Sequence, residues 1–275
     1  MAYVDAPSTE RPPAAARRRW TAARVTGLLL MALWALLGVS IVYMLIVGYD
    51  PEKVAKYGPR IVQGIWVTLH LVTMSLLLGA VISIPVAAGR MSANPIIGGI
   101  AFGYSYFFRG TPLLAQTFLV YYGAGQFTDV LKTMGLWVFF RDAYFCAVLT
   151  FSLNTAAYQA EILAGAIRAV PAGQWQAADS LGLRHFTTMR KVILPQALIT
   201  ALRPYGNEVI LMIKASAIAS IITVLDLMGQ TRYVFSKTYD LQVYIWAAVI
   251  YLATVEVLRR LWELMERRLT RHLRR

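Results

Sequence analysis

Val25 to Val47 is a run of 23 residues without a formal charge. Wound as a helix it measures roughly 34 Å, a little more than the ~30 Å hydrocarbon core of a bilayer. Similar runs follow. Ile61–Gly89 carries no charge, Met91–Thr128 only Arg109, Ala143–Ile167 only Glu161, Val209–Leu225 only Lys214, and Leu241–Leu258 only Glu256. The composition agrees: 58% of residues are hydrophobic and 15% charged, more apolar than a soluble domain can hide. Continuous apolarity argues for helices over the alternating strands of a barrel. The expected fold is all-α, a polytopic membrane protein with six transmembrane helices. A single cysteine, Cys146, permits no internal disulfide.

The chain carries 27 Lys and Arg against 14 Asp and Glu, a net +13. Such an excess can indicate a nucleic-acid partner, so the positions of the charges decide. With the N-terminus inside, 18 of the 27 fall on the cytoplasmic side: five before residue 25, Arg90, five from Arg168 to Arg203, and seven from Arg259 onward. That asymmetry is the positive-inside pattern, with both termini cytoplasmic, and it points to membrane lipid and not to nucleic acid. Residues 1–24 read as a disordered tail, 25–47 as a retained membrane helix, and 263–275 as a basic cytoplasmic tail. A cleaved leader is disfavoured because the apolar run exceeds the 7–15 residues of a signal-peptide core.

The segment between the fourth and fifth spans is patterned. A short helix is expected over Gln174–Leu181, capped by Gly182 in a left-handed conformation. A second, from about His185 to Leu194, carries Phe186, Met189 and Ile193 on one apolar stripe and ends at Pro195. Two short helices joined at a glycine could form a DNA-reading motif, but no soluble core stands behind them. The adjacent small residues Ala177 and Ala178 suit a docking helix received by another protein's groove.

Gln176-Ala177-Ala178, Gly182 and Val192-Ile193-Leu194-Pro195 resemble the EAA loop of bacterial ABC importer permeases. Phe108-Arg109-Gly110-Thr111-Pro112-Leu113-Leu114, Leu153-Asn154-Thr155-Ala156-Ala157-Tyr158 with Glu161, and Val170-Pro171-Ala172-Gly173-Gln174 are similar to that family's polar amino-acid branch. Phe140-Arg141-Asp142 and Asn207-Glu208-Val209-Ile210-Leu211-Met212 resemble the M-type subunits for histidine, lysine, arginine, ornithine or opines. The resemblance implies a five-helix permease domain over 61–262, with Val25–Val47 added, and a coupling loop at 170–196 comprising Gln176, Ala177, Ala178, Gly182 and Pro195. It implies an ATP-binding cassette subunit dimer, a second permease subunit (homologous or identical) and a periplasmic amino-acid-binding protein as partners. Gln176 departs from the usual glutamate, which removes an ion pair with the ATPase.

Charged groups inside spans are costly, about 2.5–3.5 kcal/mol on insertion scales, and usually face a partner or a pathway. Arg109 stands beside a Gly110-Thr111-Pro112 helix break, where it either ties helices together, through carbonyls or Glu161, or lines a path. Asn154, Tyr158 and Glu161 share neighbouring parts of one helix. Glu161 suits a cationic substrate, or pairs with Arg168. Asn207, Glu208 and Lys214 present the same choice on the fifth span. His70 reads as a helix-packing residue. No histidine pair has metal spacing and no Gly-Lys-Ser/Thr phosphate loop occurs, so neither a cofactor nor intrinsic ATP hydrolysis is expected. An intramembrane enzyme, the rival class, would have to converge Arg109, Glu161 and His70; a receptor or scaffold is a further rival. Importers of other polar amino acids, such as glutamine or glutamate, are the nearer alternative.

Overall fold

A computed structural model of the chain describes residues 21–271. All regular elements among them are helical. Most of the expected N-terminal tail, and His272 with the last three residues, lie outside the described residues. The chain divides into two units at Tyr49/Asp50. In the first, α1 (Ala22–Val47) is one apolar helix, capped by the Thr21 hydroxyl, which accepts from the Arg24 N–H.

The second unit contains α2 (Pro51–Arg90), α3 (Pro95–Gly110), α4 (Leu113–Gln126), the short α5 (Thr128–Thr133) and α6 (Trp137–Phe140), α7 (Ala143–Arg168), α8 (Ala172–Ser180), α9 (His185–Thr188), α10 (Leu194–Ala215), α11 (Leu227–Thr238) and α12 (Gln242–Leu269). Side-chain caps set several starts. Asp50, Asn94, Asp142 and Asp226 each accept a backbone N–H from the first turn of α2, α3, α7 and α11, and Pro51 and Pro95 occupy the first helical positions of α2 and α3, where a missing N–H costs nothing.

Among the described residues, four helical segments are long and apolar enough to cross a bilayer: α1, α2, the continuous run His185–Ile222, and α12. The expected span Met91–Thr128 is two helices of 16 and 14 residues, broken at Thr111-Pro112. Helix α7 has 26 residues, but its buried Thr150, Ser152, Asn154, Thr155 and Gln159 dilute its apolarity. Those polar groups are absorbed internally, as when Thr150 and Ser152 donate to the carbonyls four residues back. At its far end α12 runs to Leu269, with Glu263 paired to Arg259 and Glu266 to Arg203.

The core is organised around α7, which packs on α2, α3, α4 and α10. Ala156, Ala157, Ala160 and Ala164 are fully buried along it, and small residues let helix backbones approach closely where lipid supplies no hydrophobic drive. Gly79 marks the closest approach: a Cβ there would stand 2.5 Å from Thr155 Cγ2 and 3.0 Å from Gln159 Nε2. Gln159 also donates to the Leu76 carbonyl across the same seam, at 3.2 Å. Around it, Leu71, Val72, Leu76, Phe151, Met212 and Ile213 form the apolar core. His70 hydrogen-bonds to the Tyr144 hydroxyl, joining α2 to α7, which is the packing role expected of it.

Two predictions follow from these contacts. Gly79→Val overpacks the α2–α7 seam and costs about 1–3 kcal/mol, read as a lower unfolding midpoint in detergent, whereas Gly99→Val, where the space is open, leaves the seam intact. At the extramembrane end, Lys53 Nζ lies 2.9 Å from Asp240 Oδ2 and ties the start of α2 to the α11–α12 turn. Lys53 and the Gln242 N–H hold the Asp240 carboxyl below its ordinary 3.8, and Asp240 raises Lys53 above 10.5. The pair's contribution is therefore present between those values, lost as pH falls through the depressed Asp240 value, and lost at the other end as pH rises through that of Lys53. The midpoint difference between wild type and Asp240→Asn is expected to be flat from pH 5 to 9 and to shrink below about pH 4.

Candidate functional site

The patterned segment after α7 forms a helical pair, as expected. Helix α8 begins two residues before the expected start, after Pro171, and closes at Gly182, whose φ is +68°, the left-handed value that glycine adopts without strain. The Leu183 N–H donates to the Ala178 carbonyl at 3.1 Å and the Gly182 N–H to Asp179 at 2.9 Å, fixing the turn.

Three details differ from expectation. Ala178 is the buried residue of α8, which packs on Met189–Ile193, so the small surface is Ala177 alone. Phe186 leaves the apolar stripe and is 74% exposed, as Leu181 is at 77%, while Ile193 is fully buried. The turn around Gly182 thus presents two large apolar side chains outward. Finally, the second helix does not end at Pro195. Met189–Ile193 is a π-helical turn that leads directly into α10, with Pro195 in its first turn. Proline is tolerated there because the widened turn has already displaced the hydrogen bond its nitrogen cannot make. Gln176 is exposed and donates and accepts nothing through its side chain among the described contacts.

The intramembrane polar residues come together in part. The α3–α4 break leaves the Phe108 and Thr111 carbonyls without helical partners. Gln116 donates to both, at 3.0 and 3.1 Å, and Asn154 Nδ2 donates to Phe108 at 2.8 Å and to Gln116 Oε1 at 3.1 Å. Asn154 therefore repairs the break, as buried backbone in lipid requires. This fixes Arg109, one residue before the end of α3, with its guanidinium 5.4 Å from the Tyr158 ring centre. Arg109 lies within electrostatic reach of both Glu161 and Glu208. Glu208, 6% exposed, accepts from the Thr155 hydroxyl at 2.8 Å.

Glu161 pairs with neither Arg168 nor Arg109. Its carboxylate accepts from Arg90 Nε at 2.5 Å, and Arg168 donates instead to the Arg90 carbonyl at 2.8 Å. Arg90, which by sequence position is a cytoplasmic loop charge, thus reaches the polar residues of α7, and its place at the close of a long apolar run is the signal for it. The Ser105 side chain is buried beside Glu161. Asn207 stands apart, lining a cleft between α10 and α12 with Arg203 and Trp262, and Lys214 is exposed. The cluster thus consists of Arg109 and Ser105 from α3, Tyr158 and Glu161 from α7, Glu208 from α10 and Arg90 from α2. With two guanidinium groups and two carboxylates, it can pair with both ends of a zwitterion.

The nopaline transport system permease protein NocM of Agrobacterium fabrum is 43% identical over 226 residues, covering 82% of this chain and 94% of its own. The arginine ABC transporter permease protein ArtM of Escherichia coli K12 is 35% identical over 213 residues, with 78% and 96% covered. A crystal structure of an amino acid ABC transporter with histidines superposes with a TM-score of 0.70 at 37% identity, over 80% of this chain and 99% of that one. The inward-facing MetNI methionine ABC transporter, at 22% identity and a TM-score of 0.64, shares the fold. Residues 79–271 match the binding-protein-dependent transport system inner membrane components, and the chain belongs to that family, a multi-pass permease subunit of the inner membrane that works with an ATP-binding subunit and a binding protein.

Proposed function

We propose that this chain is the permease of an ATP-driven importer for a cationic amino acid, such as arginine, lysine, ornithine or histidine, or for an opine. The observation that supports the substrate assignment is the pair of intramembrane carboxylates, Glu161 and Glu208, within electrostatic reach of Arg109, which stands over Tyr158. A carboxylate held in a low-dielectric setting recognises a cation, and Arg109 complements the α-carboxylate that every amino acid carries. Relatives named for nopaline, octopine and arginine transport agree with that chemistry.

The chain crosses the membrane six times, with α3–α4 as one broken crossing and α7 as the central one, and both termini face the cytoplasm among anionic headgroups. It pairs with a second permease, identical or homologous. The ATPase dimer receives the turn at Gly182 in a groove. Leu181 and Phe186 fill that groove, so the docking is apolar and does not need the carboxylate that Gln176 lacks. Closure of the ATPase dimer on ATP moves α8, the π turn passes the motion to α10, and the helices switch from inward- to outward-facing. A periplasmic binding protein then releases the substrate into the polar cluster.

Two outcomes test this reading. Neutralising both carboxylates (Glu161→Gln with Glu208→Gln) is expected to cut arginine uptake by proteoliposomes at least about tenfold, the loss of one or two charge-assisted hydrogen bonds; unchanged arginine uptake, or uptake confined to glutamine and glutamate, contradicts it. Leu181→Asp with Phe186→Asp is expected to abolish co-purification of the ATPase while the permease stays folded, since both positions are already exposed; retained ATPase at normal stoichiometry contradicts the docking assignment.

A further inference from the structure

We infer that the Arg90 guanidinium is an internal counter-cation, which holds Glu161 when no substrate is present and which the substrate's own cation must displace. The inference rests on the proposed reading that Glu161 meets that cation, and adds how the site is kept closed to other solutes.

Four observations carry it. Arg90 and Glu161 are each about one-fifth exposed, so their attraction is neither screened as at a surface nor locked away as in a core. The contact is made by Nε to one carboxylate oxygen, whereas a free guanidinium group entering the site can approach end-on and bond both oxygens, the stronger arrangement. Ser105, 3% exposed, is buried beside the same carboxylate and adds a hydroxyl to the site. Lastly, Arg90 has somewhere to go: its guanidinium already lies 5.1 Å from the ring centre of Phe102, on the same face of α3 as Ser105 and Arg109.

The exchange also has a route to the coupling segment. The Arg90 carbonyl holds Arg168, and both arginines line a cleft of about 660 Å³ whose far side is Trp175, stacked on His185, and Met189 of the π turn. The residue whose side chain the substrate displaces therefore sits where the end of α2 abuts the helices proposed to engage the ATPase.

The test is equilibrium binding of radiolabelled arginine and glutamine to the assembled permease–ATPase complex, without the binding protein. Arg90→Gln is expected to tighten arginine binding about tenfold and leave glutamine unchanged, Arg90→Lys to stay near wild type, and Glu161→Gln to abolish arginine binding. An intact Arg90→Gln complex that binds arginine no more tightly, or that tightens arginine and glutamine equally, overturns the inference. If Arg90→Gln does not assemble, Phe102→Leu at an exposed position substitutes for it: loss of the displaced cation's resting place is expected to weaken arginine binding about two- to fivefold, and unchanged binding overturns the inference. Arginine binding that survives Glu161→Gln defeats the underlying site assignment as well, whereas its loss there, with no gain in Arg90→Gln, defeats the Arg90 inference alone.

Discussion

The close approach of α2 to α7 at Gly79 is the contact on which the rest of the second unit depends. In a bilayer the solvent is as apolar as the side chains, so helices associate through packing and internal hydrogen bonds. Gly79 supplies the space, the buried alanines of α7 supply the flat surface, and Gln159 adds a donor across the seam. With α7 held there, its other faces are fixed toward α3, α4 and α10.

That placement explains why the break at Thr111-Pro112 is tolerable. A helix interruption inside lipid strands carbonyl groups, and only polar side chains already in place can answer them. Asn154 and Gln116 do so, and the repaired break then sets Arg109 over Tyr158, within reach of two carboxylates. The polar residues of α7 thus divide the work: Asn154 and Gln159 hold the frame, while Tyr158 and Glu161 face the charged groups.

Much of this could be read from the chain. The long runs without charge, the helix break at Gly110-Thr111-Pro112 and the left-handed glycine at 182 follow from local chemistry and spacing, and the same reading marks Arg109, Tyr158, Glu161 and Glu208 as candidates one by one. What escaped was tertiary. The helix at His185 continues through Pro195 because a π turn accommodates the proline, and no local signal marks a widened turn. Ala178 faces inward and Phe186 outward because α8 packs on that turn, which reverses the surface that spacing suggested. Arg90 pairs with a residue 71 positions away, and only the meeting of α2 with α7 reveals that Glu161 is already occupied.

A charge-balanced cluster built around two carboxylates makes a claim about substrate class, and competition measures it most directly. Labelled arginine uptake by the assembled transporter in liposomes is to be challenged with lysine, ornithine, glutamine and glutamate. The structure predicts suppression by lysine and ornithine and none by glutamine or glutamate. Suppression by glutamine or glutamate to the same extent, or the absence of any arginine uptake by a complex that imports a neutral amino acid, would contradict it.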